Sequence, residues 1–136
     1  MEVQVAVLCD SASNYHGKLC VLGTFDTLYT TQLPAIHPHC SIALRLIFRD
    51  EDAGDSRLRL RLIDEDGLNK LPADIGANLH IELPPDMYFF SKNFVFNLQQ
   101  IAFDKTGQYS IDILLNDKMI ARMPLQVVLK PAGQPG

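Results

Sequence analysis

Alternation of apolar and polar residues constrains this chain more than any other feature, and "SRLRLRLIDEDG" (residues 56–67) carries it most regularly. Leu58, Leu60 and Leu62 fall on one side of an extended chain and Arg57, Arg59 and Arg61 on the other, because successive side chains of a strand point to opposite faces. The same period of two returns along the sequence. "VQVAVLC" sets Val3, Val5, Val7 and Cys9 on one face, and "SIALRLIF" aligns Ile42, Leu44, Leu46 and Phe48. "NLHIEL" (78–83) alternates and is closed by Pro84-Pro85, and "NFVFNL" aligns Phe94, Phe96 and Leu98. "GKLCVLGTFDTL" (17–28) predicts a second strand entered through the turn-like "DSASNYHG", while "QYSIDILL" and "KMIARMPLQVVL" predict a closing pair around Asn116-Asp117. The best stretch for a helix, Asp64 to Ala77, is interrupted by Pro72 and Gly76. About seven to nine short strands with turn signals between them predict an all-β chain folded as an antiparallel Greek-key sandwich.

A chain of 136 residues predicts one domain, 1–129, with "KPAGQPG" (130–136) as a frayed tail. That length buries roughly 68% of the unfolded surface, enough for a core without covalent staples. The net charge of −4 gives no pull toward nucleic acid or anionic lipid, so neither is expected as a partner. No apolar run is long enough to span a bilayer. The opening "MEVQVAVLCD" lacks the pattern of an export signal. Three cysteines, Cys9, Cys20 and Cys40, do not make a closed disulfide framework, which predicts reduced thiols and a cytoplasmic protein.

"FVFNLQQIAFDKTGQYSIDI" is the sharpest local signal. Alternating apolar residues lead to an acidic turn, Gly107, and then Tyr109 at the opening of a strand. This is similar to the E-to-F corner of immunoglobulin-like domains, where an early tyrosine bonds back to the upstream backbone. The second core cysteine of antibody domains is replaced here by Ile111, and the core tryptophan is missing, so the resemblance implies the architecture without the antibody subtype. Tyr109 is therefore a structural residue in this reading, buried and bonded near Asp104–Thr106. Taken whole, the chain also resembles a family of small bacterial β-sandwich proteins of unknown function. "LCD", "GKL" with "GTFD", "LRLIDEDG" and "GQYSIDILLNDKMIARMPLQV" carry that likeness. The resemblance implies a fold and brings no catalytic residues.

The arginines suggest a surface. Pairing "SIALRLIF" with "RLRLRLI" as a hairpin, with Phe48 opposite Leu58 and Leu44 opposite Leu62, places Arg45, Arg49, Arg57, Arg59 and Arg61 on one face. Like charges directly opposed in a sheet are unfavourable. The loop residues Asp50, Glu51, Asp52 and Asp55 would cover one end, and Asp112 on a neighbouring strand the middle. Such a face reads first as a solvated one with ion pairs of ~0.2 to 1 kcal/mol each, and second as a docking face for an acidic partner or phosphates.

Other constellations are weaker. "HPHC" offers His37, His39 and Cys40 as zinc ligand types, with His16 or Cys9 as a fourth, but the spacing is not that of a zinc site, and no metal or other cofactor is expected. "DEDAGD" and "DEDG" resemble fragments of calcium loops without the distal glutamate, and read as polar turns. "PPDMYFFSK" crowds Met87, Tyr88, Phe89 and Phe90 into one loop, either folded over an open end of the sandwich or offered to a partner. No glycine-flanked nucleophile, phosphate-cradling loop or zinc-protease helix motif appears. The expected function is a non-catalytic binding or assembly module with a protein partner or a second copy of itself. The alternative is a small-ligand-binding β-domain with its pocket near residues 87–90, and a hydrolase built on loops ranks last.

Overall fold

The computed structural model describes residues 1–71 and 75–131. Nine strands run through them: β1 (Glu2–Tyr15), β2 (Lys18–Thr24), β3 (Thr27–Thr30), β4 (Ala35–Phe48), β5 (Gly54–Ile63), β6 (Ile75–Ile81), β7 (Phe90–Phe103), β8 (Gly107–Leu115) and β9 (Lys118–Leu129). A single 3-10 turn, Asp50–Asp52, joins β4 to β5. Among the described residues no helix is long and apolar enough to cross a membrane. The expected tail from residue 132 onward lies outside the described residues, as does Pro72.

The strands form two sheets, in the orders β2-β1-β4-β7 and β3-β9-β8-β5-β6. All neighbours are antiparallel except β3, which runs parallel to β9. Ile42, Leu44, Leu46 and Phe48 of β4 share one core with Leu58, Leu60 and Leu62 of β5, Ile111 and Ile113 of β8, and Leu125 and Val127 of β9. Full burial of each such side chain contributes about 1.5–3 kcal/mol relative to exposure, so alternation in each strand fixes which face turns inward.

The expected hairpin between the two arginine-bearing strands does not form. β4 lies between β1 and β7 in one sheet, and β5 lies between β8 and β6 in the other. Residues Cys40–Leu44 are buried on both faces of β4, a pattern that suits an interior strand. The leucines of β4 and β5 do bury one another's surface, but from facing sheets rather than side by side. The arginines therefore divide, with Arg45 and Arg49 on one sheet or at its end and Arg57, Arg59 and Arg61 on the other.

The first sheet curls into a half-barrel. β1 pairs with β4 as far as Cys9, then with β2 as far as Tyr15, so most of the segment expected to turn is strand. The turn itself is only His16-Gly17, both at positive φ (49° and 78°), the left-handed pair that a tight hairpin uses. A register shift between Val3 and Val5 returns Val3 to the core face beside Leu46, whereas Val5, Val7 and Cys9 stay on the outer face. That outer face is not solvated: Cys9, Ser41 and Ala43 are fully buried because the β1–β2 hairpin folds back over them.

In the closing hairpin both competing rules are obeyed. Asn116 and Asp117 form a two-residue turn at positive φ, with Leu115 opposite Lys118, so the expected three-residue loop does not form. A bulge between Ile113 and Leu114 then absorbs one residue, and Ile113 faces Ala121 and Ile111 faces Met123, as burial demands. Met119, expected inward, is opposite Leu114 and half exposed. At the other end of β8, Tyr109 is buried and its hydroxyl donates to the Lys105 carbonyl at 2.7 Å, the bond expected from the Gly107-x-Tyr109 step.

Candidate binding surfaces

β5 presents Arg57, Arg59 and Arg61 outward because Leu58, Leu60 and Leu62 are inward. β8 lies beside it with Asp112 opposite Arg61 and Leu114 opposite Arg59. Leu114 faces outward yet is nearly buried, as expected where arginine stems lie over an apolar neighbour. Asp112 receives Arg122 of β9 through two bonds, at 2.8 and 2.9 Å. That pairing, with help from Ser110 and Arg61, holds the Asp112 carboxyl below the usual range despite its burial. Arg59 is 3.5 Å from Asp117, and Arg57 donates to Asn78 Oδ1 at 3.0 Å. Two of the three arginines thus have carboxylates within reach or directly opposite.

Arg45 has a different role. Its Nε donates to Gln4 Oε1 at 2.7 Å, and one terminal nitrogen donates to Asn93 Oδ1 at 2.7 Å and to the Gly17 carbonyl at 3.0 Å. Asn93 also donates to Gly17 and to Asn14 Oδ1. Arg45 and Asn93 therefore pin the His16-Gly17 turn over the sheet. Arg49, at the end of β4, pairs with Glu2 at 3.2 Å and lies 5.9 Å from the Phe89 ring centroid, within cation–π range.

Phe89 belongs to the β6–β7 loop. Met87, Tyr88 and Phe89 are 45%, 90% and 48% exposed, and only Phe90 turns in, against the core. The structure thus brings Arg49 to the aromatic loop and leaves the other four arginines elsewhere.

A groove of about 560 Å³ opens at the β5–β6 edge beside Arg57, Asn78 and Asn116. It also holds a pair that sequence reasoning missed: His80 Nδ1 is 2.7 Å from Asp55 Oδ1. Asp55, with help from Glu82, raises the imidazole's affinity for its proton. The pair exists because β6 lies beside β5 and sets Asp55 opposite His80, a register out of reach once β5 is paired with β4. Ser56 lies on the other face of β5 and receives a bond from Asn116 at 3.2 Å, so it does not join His80 and Asp55 in a nucleophilic triad.

The zinc candidates separate. Among the described residues no group of three His, Cys, Asp or Glu side chains converges on a metal position. His37 turns to the Phe25 ring, 5.6 Å between centroids, and burial lowers its pKa. Cys40 is in the core, where burial pushes the thiol up to about 11, and His39 is exposed. Of the acidic turns, Asp64 is the informative one. Its Oδ1 accepts the Asp66 and Leu68 N–H groups, both at 2.9 Å, and its Oδ2 is 3.2 Å from Lys70 Nζ. Glu65 accepts the Gln108 N–H at 2.8 Å, and Asp66 takes Lys105 at 2.9 Å. The "DEDG" turn therefore braces the tyrosine corner, with each carboxylate committed to a protein partner.

A search of curated proteins returned no match. Among solved structures, the chain is similar to the Pseudomonas fluorescens alkylpurine DNA glycosylase AlkC bound to DNA containing an abasic site analog, with a TM-score of 0.52 and 4% identity. The likeness covers 93% of this chain but only 30% of that one, and at such identity it is a likeness of fold. The model of a family of unknown function, DUF6941, matches residues 4–128, and the chain belongs to that family.

Proposed function

We propose that the chain is a non-catalytic binding or assembly module of immunoglobulin-like, Greek-key architecture, a single domain working in the cytoplasm of a bacterial cell. The strand order supports the architecture, since the chain changes sheets between β2 and β3, β3 and β4, β4 and β5, β6 and β7, and β7 and β8. Tyr109 early in β8 makes the corner bond. Three free cysteines, two of them buried, support a reducing compartment. DNA is not carried over from the glycosylase, because a net charge of −4 gives no phosphate-binding field.

The observation that carries the binding reading is the loop from Met87 to Phe89, three consecutive large apolar side chains exposed beside Arg49. Tyrosine and arginine dominate binding hot spots, and aromatics and methionine are enriched in interfaces. The groove at the β5–β6 edge is walled by Asp55 to Arg57, Asn78 to His80 and Asn116 and not by residues 87–90, which favours a protein partner over the small-ligand alternative. A photo-crosslinking residue in place of Tyr88, expressed in the native host, should capture a discrete partner. Purified, that partner should bind Tyr88→Ser/Phe89→Ser roughly 30-fold more weakly, a loss of about 2 kcal/mol typical of a hot spot. Equal binding by the variant and the parent protein would overturn the reading.

A further inference from the structure

The outer face of the second sheet concentrates positive charge on a chain whose net charge is −4. Arg57, Arg59 and Arg61 follow one another along β5, and Arg122 of β9 lies across Asp112 from Arg61. The carboxylates beside them do not match this charge. Arg122 binds both oxygens of Asp112. Arg61 acts on that carboxylate only as a nearby charge, with no hydrogen bond or salt bridge among the described residues. Asp117 is exposed and comes no nearer than 3.5 Å to Arg59, and Arg57 gives one donor to the neutral Asn78 amide. On the β6 side Gly76 stands opposite Arg59, so that strand sets no side chain beside the guanidinium. Each guanidinium carries five donors. Cations about 6.6 Å apart on alternate residues of a strand repel one another until an anion meets them.

We propose that this stripe docks an extended acidic segment of a protein partner, with carboxylates on alternate residues, over residues 57–61 of β5. The spacing selects an extended chain. Every second side chain of a strand recurs at about 6.6 Å, so a Glu-x-Glu-x-Glu segment lying along β5 meets the three guanidinium groups in step. The length selects a short segment and not a polynucleotide, because the stripe covers only about 13 Å. Beyond Arg57, Asp55 and Glu82 flank His80. Beyond Arg61, the turn carries Asp64, Glu65 and Asp66. A longer polyanion would run from the arginines onto carboxylates at both ends. The stripe is separate from the 87–89 loop, which has Arg49 beside it, and is expected to bind whether or not that loop does.

NMR titration of the isotope-labelled full chain with the blocked peptide Glu-Ser-Glu-Ser-Glu at low salt tests the docking. At roughly 5 mM peptide, where even a millimolar Kd nears saturation, the shifts should centre on residues 57–61 and their neighbours on β8 and β9. Arg57→Gln/Arg59→Gln, which keeps the Arg59 stem beside Leu114, should weaken binding about tenfold. Arg57→Gln alone, at an exposed position, should weaken it about threefold. Lys18→Ser, which removes a charge from the other sheet, should leave it unchanged. The peptide Glu-Glu-Glu-Ser-Ser has the same charge but splits its carboxylates between two faces, and should bind about threefold more weakly. The dispersion of each spectrum reports whether a variant is folded. A parent protein without shifts, arginine variants without effect, equal binding of the two peptides, or tighter binding of a thymidine pentanucleotide than of the alternating peptide would each overturn the proposal. So would an affinity lost on Tyr88→Ser/Phe89→Ser, which would move the acidic site to Arg49 and the loop.

Discussion

Tyr109 and Asp64 show how unevenly single residues can be read. The tyrosine corner was legible because its parts are local: an acidic turn, a glycine and a tyrosine two positions on. Its hydroxyl bond to the Lys105 carbonyl spans four residues. The role of Asp64 was not legible. "DEDG" reads as a polar turn, yet the Asp64 side chain is only 1% exposed and organises the loop that braces the corner. Its burial depends on where the end of β5 meets the β7–β8 turn, which no local pattern encodes. Tyr109→Phe should lower stability by about 0.5–1.5 kcal/mol, toward the upper end if the Lys105 carbonyl is left unpaired. Urea unfolding measures it. A change below a few tenths of a kcal/mol would mean that ring burial alone holds the corner.

For whole elements, alternation told which side chains share a face but not which strand lies beside them. The apolar faces of β4 and β5 are complementary in either arrangement, side by side or face to face, so the hairpin and the sandwich bury the same leucines. What separated them was burial on both sides of Cys40–Leu44, and the outer cover there comes from the distant β1–β2 hairpin. The arginine surface inherits that ambiguity: the pattern reads as one solvated or docking face, whereas Arg45 bonds to Gln4, Asn93 and the Gly17 carbonyl on the other sheet. In the β8–β9 hairpin the conflict between turn chemistry and burial was legible, but its resolution by a bulge was not. That resolution gives a paired prediction. Asp117 adopts φ 66° and its side chain, 82% exposed, meets Arg59 only at 3.5 Å. Asp117→Gly should therefore raise stability by about 0.5–1 kcal/mol, since glycine adopts this conformation without strain. Asn116 also has a positive φ, but its Oδ1 accepts the Arg57 N–H at 2.9 Å and its Nδ2 donates to Ser56. Asn116→Gly should instead lower stability, by about 1 kcal/mol for the lost bonds. Denaturant midpoints of the two variants on the same side of the parent would show that side-chain bonding and backbone strain have been apportioned wrongly.

Across the whole molecule, the second sheet is tied together by carboxylates, and this sets its response to acid. Asp112 bridges β8 and β9 through Arg122, with Arg61 opposite on β5. Asp64 holds the turn after β5, where the 64–70 loop grips the corner leading into β8. Both carboxyls sit below their ordinary range, Asp112 chiefly through Arg122 and Asp64 chiefly through the Leu68 N–H. A carboxyl whose folded pKa is depressed binds fewer protons folded than unfolded. Its contribution to stability is therefore complete above the unfolded value of about 3.9. It falls away as the pH drops through the depressed folded value. The Arg122 side chain is more than half exposed, so solvent screening limits the Asp112 share to on the order of 1 kcal/mol. Asp112→Asn should be less stable than the parent at pH 7 and should approach it in acid, because the parent loses there what the variant never had. Asp64→Asn should follow the same course. Urea unfolding at a series of pH values from 7 to about 2.5 measures the convergence. Parallel curves, with each variant displaced equally at every pH, would mean that the two residues act through packing and neutral hydrogen bonds instead of through their charge.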